Sequence, residues 1–428
     1  MLIEFSVTNF RSFRERQTLS MVAASRLRKL NNVFLPVLAG EKLPPLLKVV
    51  AIYGPNASGK SSLLKAMDVM PKICRLKPSV EAVKFPVKSF RFDPALREQP
   101  SRFEFHFIQK EMRYSFDLAV TEDRVFEERL ISYPRGKETL LYQRTYSDEQ
   151  EHYVFGDALE GGKNLHDTWR KLTGPQALFI AQAVANSSEE LKQLKEPFGW
   201  LANGAAIVDH MKPLESITQR LVIDLPLFKA EVVKLLSDID VPISSISSRL
   251  VEQSSVITEQ KSEDGGDEVA EYKASALNSK LKVKTTLTHK TTLGEAEFDF
   301  QEESDGTKNI FCFAFPWLLL RSDEESGRRI IVVDELDSSL HPKVVEALIE
   351  RHLSAKLPNQ LIFTTHDTHL MDTKLLRRDQ IWLTERDAAG ATQLRCIHDF
   401  EGREGEDVEK RYYEGRYRSL PLLRKSTV

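Results

Sequence analysis

One stretch of this 428-residue chain has the residue types and order needed to hold a polyphosphate: Gly54-Pro55-Asn56-Ala57-Ser58-Gly59-Lys60-Ser61-Ser62. Glycines there let backbone N–H groups wrap a phosphate, and the start of a following helix adds the positive end of its dipole. Lys60 is placed to reach the β and γ phosphates of a nucleotide, and the Ser61 hydroxyl to ligate Mg²⁺. A chance match to this pattern in a chain of this length is on the order of one per cent. The bland alternative is a glycine turn that happens to precede Lys-Ser. It loses further ground because the flanks fit: Leu47–Tyr53 reads as a strand buried on both faces, and Ser62–Met70 as a helix.

Three further segments carry groups that act on a phosphate. Ile330-Ile-Val-Val333 reads as a buried strand ending in Asp334 and Glu335. The first carboxylate can hold Mg²⁺ through water, and the second can orient or deprotonate an attacking water. Such a string is weak alone and gains its weight from the upstream loop. Thr364-Thr365-His366 closes another apolar segment, Gln360–Phe363, where His366 suits a γ-phosphate sensor. Glu303-Ser304-Asp305-Gly306-Thr307-Lys308 precedes the helix containing Ile310–Leu320. Ser304 and Gly306 at a helix N-terminus can bind an anion. An ordinary N-cap is the competing reading for Ser304, and the spacing just ahead of the Asp334 strand favours the anion site.

The elements that must position these groups follow from periodicity. Alternating or apolar runs predict strands at Leu2–Thr8, Val49–Tyr53, Phe103–Ile108, Tyr114–Val120 and Val125–Ser132. From Asn164 to Asp240 the spacing turns helical. The charged, glycine-paired Thr258–Lys273 reads as a mobile surface loop. Strands return at Leu281–Thr288 and Glu297–Gln301, and helices then alternate with strands, as in a parallel α/β sheet. The expectation is an ATPase domain built from both ends of the chain. Residues 1–163 carry the phosphate loop and an antiparallel β subdomain, 164–281 a helical insert, and 282–428 the remaining motifs.

Composition narrows the class. Hydrophobic residues make up 41% and charged residues 29%, ordinary for a soluble globular protein. Net charge is −3, with 60 basic against 63 acidic residues, which argues against a chain built mainly to coat nucleic acid. Cys74, Cys312 and Cys396 lie far apart and form neither a disulfide framework nor a zinc site. The opening MLIEFSVTNF reads as a strand rather than a leader, and the apolar run Ile310–Leu320 is too short to span a bilayer. A cytoplasmic protein with no membrane partner is expected.

These motifs resemble the ABC ATPase superfamily, in its SMC-like and DNA-repair branch rather than its transporters. Asn9-Phe10-Arg11-Ser12-Phe13 looks like the short motif that starts those heads, and GPNASGKSS is similar to their phosphate loop. Ser304-Asp305-Gly306 resembles the signature motif, with Asp305 where glycine is usual and Thr307 where Gln or Glu is usual. Ser338-Ser339-Leu340-His341 corresponds to the loop after the catalytic Glu that touches the opposite subunit. The phrases SDGTKN, DELDSSLHP, FTTHD and EKRYYEGRYRSLP are similar to prokaryotic ATPases of abortive-infection and related anti-phage systems.

The resemblance implies an α/β fold of the ABC-head type that uses ATP and Mg²⁺. It implies a head-to-head homodimer, open to higher order, in which the partner's signature segment closes over the γ-phosphate. It assigns Glu335 and His366 to catalysis, Ser61 and Asp334 to the metal, and Arg11 to ordering the nucleotide site. In this group such an ATPase is a switch acting on a separate effector, often a Toprim-type nuclease, with a phage protein or nucleic acid as trigger. The alternative is a DNA-binding ATPase of the repair type, whose long coiled coil and basic inner surface are not visible here. No nuclease is expected in this chain itself. No Asp-x-Asp occurs beyond His366, and Asp238-Ile-Asp240 reads as solvated surface.

Overall fold

The computed structural model describes residues 1–76, 84–239, 241–252, 281–321, 330–371, 374–402 and 406–417. The acidic stretch Thr258–Lys273 lies outside these residues, as does the tail from Arg418 onward. The chain opens with β1 (Leu2–Thr8), β2 (Gln17–Ser20), the short pair β3 (Val33–Phe34) and β4 (Leu46–Leu47), and then β5 (Val49–Tyr53). All five residues of β5 are buried, as its unbroken apolar run requires. Helix α1 (Lys60–Cys74) follows the phosphate-loop segment directly.

A meander comes next: β6 (Ser101–Gln109), β7 (Met112–Val120), β8 (Val125–Ser132), β9 (Thr139–Ser147) and β10 (Gln150–Phe155). With β1 and β2 these strands make a seven-stranded antiparallel sheet in the order β10-β9-β8-β7-β6-β1-β2. Two of its hairpins turn on residue pairs with left-handed backbone, Lys110-Glu111 and Asp148-Glu149. That geometry is usually given to Asn-Gly. Charged residues there conceal the turn, and β9 and β10 are not among the five strands expected from sequence.

Helices α2 (Gly162–Leu172), α3 (Phe179–Ala185) and α4 (Lys195–Asn203) are followed by β11 (Ala205–Val208), α5 (Lys212–Asp224) and α6 (Pro226–Asp238). Then come β12 (Ile243–Glu252), β13 (Leu281–Thr291), β14 (Gly294–Asp299) and α7 (Asp305–Arg321). The last part holds β15 (Ile330–Val333), α8 (Pro342–Ser354), β16 (Gln360–Thr364), β17 (Ile381–Arg386), β18 (Thr392–Cys396) and α9 (Val408–Tyr413). The second large sheet runs β11-β15-β16-β5-β17-β18, parallel throughout except for β18, which is antiparallel to β17.

The compact units do not follow the expected boundaries at 164 and 281. One unit is Met1–His210 with Leu319–Val428, and the other is Met211–Leu318. Helices α2 to α4 belong with the first because their aromatic residues complete its core. Trp200 stacks on Phe107 with ring centroids 3.9 Å apart, and Trp169 and Phe179 join the same buried cluster. Buried Glu128 anchors α3 by accepting the N–H groups of Phe179 and Ile180 at 2.7 and 3.0 Å. Strand β11 interrupts the region read as helical. Its four residues, AAIV, are too few to display a period, and they pair in parallel with β15 at the sheet edge. In the second unit, β12, β13 and β14 form a three-stranded antiparallel sheet, and α5 and α6 pack against β12.

Helix α8 buries His352 at 1% exposure, with its Nε2 3.3 Å from the carbonyl of Lys48. Burial lowers its pKa from 6.5 to about 4, so the folded chain holds this ring neutral. Between those values the unfolded chain takes up a proton that the folded chain refuses, so stability is lost as pH falls from about 6.5 to about 4. The loss from this one group is on the order of 3 kcal/mol. Urea unfolding of the wild type and His352→Leu across this range should give a shallower pH slope in the variant. Equal slopes would assign the acid sensitivity elsewhere.

Candidate nucleotide site

β5 delivers the chain to the loop at Gly54, and α1 receives it at Lys60. Gly54 and Gly59 have φ of 154° and 111°, and their missing side chains are mechanically necessary. A Cβ at Gly54 would collide with Thr384 and Ser58, and one at Gly59 with the side chain of Thr392. The β17–β18 hairpin thus presses against the loop. Ser58 Oγ lies 2.5 Å from Thr384 Oγ1, and Thr392 Oγ1 lies 2.8 Å from both the Ser58 carbonyl and Ser12 Oγ.

Lys60 is 7% exposed, and its ammonium donates to the carbonyls of Gly54 and Pro55 at 2.8 and 3.2 Å. Burial pushes its pKa below the ordinary 10.5, opposed by the charges of Asp334, Glu335 and Asp337.

The carboxylates are set by the pairing of β15 with β16. That register places Val333 opposite Phe363, so Asp334 comes beside Thr364. Thr364 is fully buried; its hydroxyl donates to Asp334 Oδ1 at 2.6 Å and accepts the N–H of Glu335 at 2.8 Å. Glu335 has φ of 51°, a left-handed conformation that costs a non-glycine residue roughly 1–3 kcal/mol and is met most often at functional sites. Asp337 Oδ2 accepts the N–H of His366 at 3.2 Å, which ties the loop after β15 to the loop after β16.

One cleft collects Ser12, Asn56, Ala57, Ser58, Gly59, Lys60, Ser61, Ser62, Glu335, His366 and Arg386. Of the residues expected from sequence, Asn56 to Ser62, Glu335 and His366 line it directly. Gly54 and Pro55 instead hold the Lys60 ammonium, and Asp334 is held by Thr364. Ser61 and Asp334 carry hard oxygen atoms of the kind that Mg²⁺ prefers. No cluster of three or more His, Cys, Asp or Glu residues suited to a metal occurs among the described residues. A phosphate-bound Mg²⁺ does not require one.

Ser304 and Gly306 lie in the second unit and are not cleft residues. Ser304 caps α7: its Oγ accepts the N–H of Thr307 at 3.1 Å, and its carbonyl accepts that of Lys308 at 3.0 Å. Arg11, expected to order the nucleotide site, is exposed, with its guanidinium 5.7 Å from the ring of Phe10. Its neighbour Ser12 faces the cleft instead. Sequence reasoning assigned no role to Thr364, Thr384, Thr392 or Arg386. Thr364 and Arg386 end the two strands that flank β5, whereas Thr384 lies inside β17 and Thr392 starts β18, and no local signal marks those two.

If Asp334 holds the metal, its fixed orientation depends on Thr364. The isosteric Thr364→Val should keep the fold but lower Mg²⁺-dependent nucleotide turnover by about ten- to a hundredfold, with more Mg²⁺ needed for half-maximal rate. Rates measured across a Mg²⁺ titration test this, and an unchanged profile would remove Asp334 from the metal site.

Among the described residues no helix is long and apolar enough to cross a membrane. The comparison with curated proteins gives no match. Solved structures similar to this chain include the SMC head domain from Thermotoga maritima, 13% identical with a TM-score of 0.41 over 92% of this chain and 98% of that one. Another is an Smc head domain with an extended coiled coil bound to the C-terminal domain of ScpA, derived from Pyrococcus furiosus. It is 11% identical, with a TM-score of 0.38 over 97% of this chain and 99% of that one. Residues 49–372, more than half of the chain, match a family described as "AAA domain, putative AbiEii toxin, Type IV TA system". That span opens on β5 and contains the phosphate loop, both carboxylates and His366, together with the phrases SDGTKN, DELDSSLHP and FTTHD. The chain belongs to this family of AAA domains.

Proposed function

We propose that the chain is an ATP-hydrolysing switch that dimerises head to head on ATP and regulates a separate effector in an anti-phage defence system. The observation that supports it most is the single cleft shared by Lys60, Ser61, Glu335 and His366. In this reading Lys60 exchanges the carbonyls of Gly54 and Pro55 for the β and γ phosphates. Ser61 and Asp334 would hold Mg²⁺, which would supply positive charge against the phosphates. Glu335 orients a water towards the γ phosphorus and takes its proton as the P–O bond to ADP breaks, and His366 contacts the terminal phosphate. Ser304 and Gly306 of the partner copy close over that phosphate at the N-terminus of α7. The effector is a second protein, of which a Toprim-type nuclease is one candidate, and the trigger is a phage protein or a nucleic acid.

Three outcomes test this. Glu335→Gln should bind ATP normally, lose nearly all turnover and accumulate as a dimer in size-exclusion chromatography with ATP. Turnover equal to wild type would place the base elsewhere. Ser304→Arg and Lys60→Ala should each be inactive alone, yet regain activity when mixed, because a heterodimer contains one intact composite site. Heterodimers that form and stay inactive would refute the shared site. The purified chain with Mg²⁺ or Mn²⁺ and ATP should leave plasmid, linear DNA and tRNA intact. Cleavage abolished by an active-site variant of this same chain would overturn the separate effector.

A further inference from the structure

The cleft contains a cation that the reading above does not use. Arg386, the last residue of β17, lines it together with Ser12 and the loop residues Asn56 to Ser62. Among the described residues its guanidinium has no ion pair or hydrogen bond. Nearby arginines are engaged: Arg395 pairs with Glu385 at 3.3 Å and Arg14 with Asp93 at 2.9 Å.

Strand parity gives its direction. Thr384 lies two residues earlier on β17 and therefore on the same face, and Thr392 is the cross-strand partner of Arg386. Both threonines turn towards the phosphate loop, one at Ser58 Oγ and the other at the Ser58 carbonyl and Ser12. Arg386 therefore stands on the loop-facing side of the hairpin. Sheet order gives the end of the ligand it meets. Glu335 and His366 leave β15 and β16 on one side of β5, and Arg386 leaves β17 on the other. A triphosphate with its terminal phosphate beside Glu335 and His366 must extend across the loop towards β17, bringing its α-phosphate to Arg386.

A guanidinium is permanently charged and offers donors in a fixed fork that matches phosphate oxygens. We propose that Arg386 is a substrate-binding residue that pairs with the α-phosphate of the bound nucleotide. This rests on the nucleotide-site reading above. The α-phosphate is common to ATP and ADP, so Arg386 sets the affinity for both and does not select the triphosphate.

The test measures binding of ADP and of ATP by calorimetry, with the ATP series in a Glu335→Gln background to prevent turnover. Arg386→Ala should weaken both nucleotides by the same factor, roughly tenfold or more for a lost charge-assisted hydrogen-bond pair. Arg386→Lys should recover part of it and Arg386→Phe none. In steady-state assays Arg386→Ala should raise KM more than it lowers kcat. Melting temperatures should match wild type, since the side chain is exposed. Affinity unchanged in Arg386→Ala would overturn the proposal, as would a loss confined to ATP, which indicates the γ-phosphate. Recovery by Arg386→Phe would also overturn it, in favour of stacking on the base. A wild type that binds neither nucleotide, or binds both equally well as Lys60→Ala, would instead sink the site reading and this proposal together.

Discussion

The parallel pairing of β5 between β16 and β17 is the constraint on which the first unit depends. It brings the ends of three strands, far apart in sequence, to one level, and every cleft group but Ser12 leaves from the ends of this sheet's strands. Two buried glutamines hold the arrangement from below. Gln360 accepts the N–H of Leu2 at 2.7 Å and donates to its carbonyl at 2.9 Å. Gln380 donates to the carbonyl of Val49 at 2.9 Å and accepts from Asn32 Nδ2. Both side chains are fully buried, so removing either would strand backbone polar groups where water cannot reach them. The antiparallel sheet and the parallel sheet are thereby joined by directional bonds as well as by apolar contact.

The cleft was legible in sequence where residue type and secondary structure coincide within a few residues. Gly54 to Ser62 join a buried strand to the start of α1, and Asp334 and Glu335 follow an apolar strand at once. The groups that aim those residues were not legible. Thr364 is one of two adjacent threonines, and nothing in the pair says that one hydroxyl will bridge Asp334 and Glu335; that depends on the register of β15 and β16. Arg386 is an ordinary strand-end arginine until the β17–β18 hairpin is folded against the loop. The division into compact units was not legible for a related reason. Helices α2 to α4 share the periodicity of α5 and α6, and only the aromatic contacts of Trp169, Phe179 and Trp200 decide which core they complete.

Ser304 illustrates how one residue can satisfy two readings. Its hydroxyl caps α7 in this structure, and capping leaves the first turn of a long helix ordered, with Ser304 and Asp305 exposed to solvent. An ordered helix start is also the requirement for meeting an anion on another surface, because its N–H groups then converge without further loss of backbone freedom. The cap and the signature role are therefore compatible uses of one local conformation.

The close fit of Thr384 and Thr392 against Gly54 and Gly59 has a consequence for biosynthesis. The loop leaves the ribosome ahead of the walls that close on it, which are residues more than three hundred positions later. A nascent chain that has not yet reached Thr392 carries the complete loop sequence without the mould that fixes its backbone. Domains assemble during translation only as their partners in contact become available. The backbone of the loop can therefore be held in this shape only after the β17–β18 hairpin has been made.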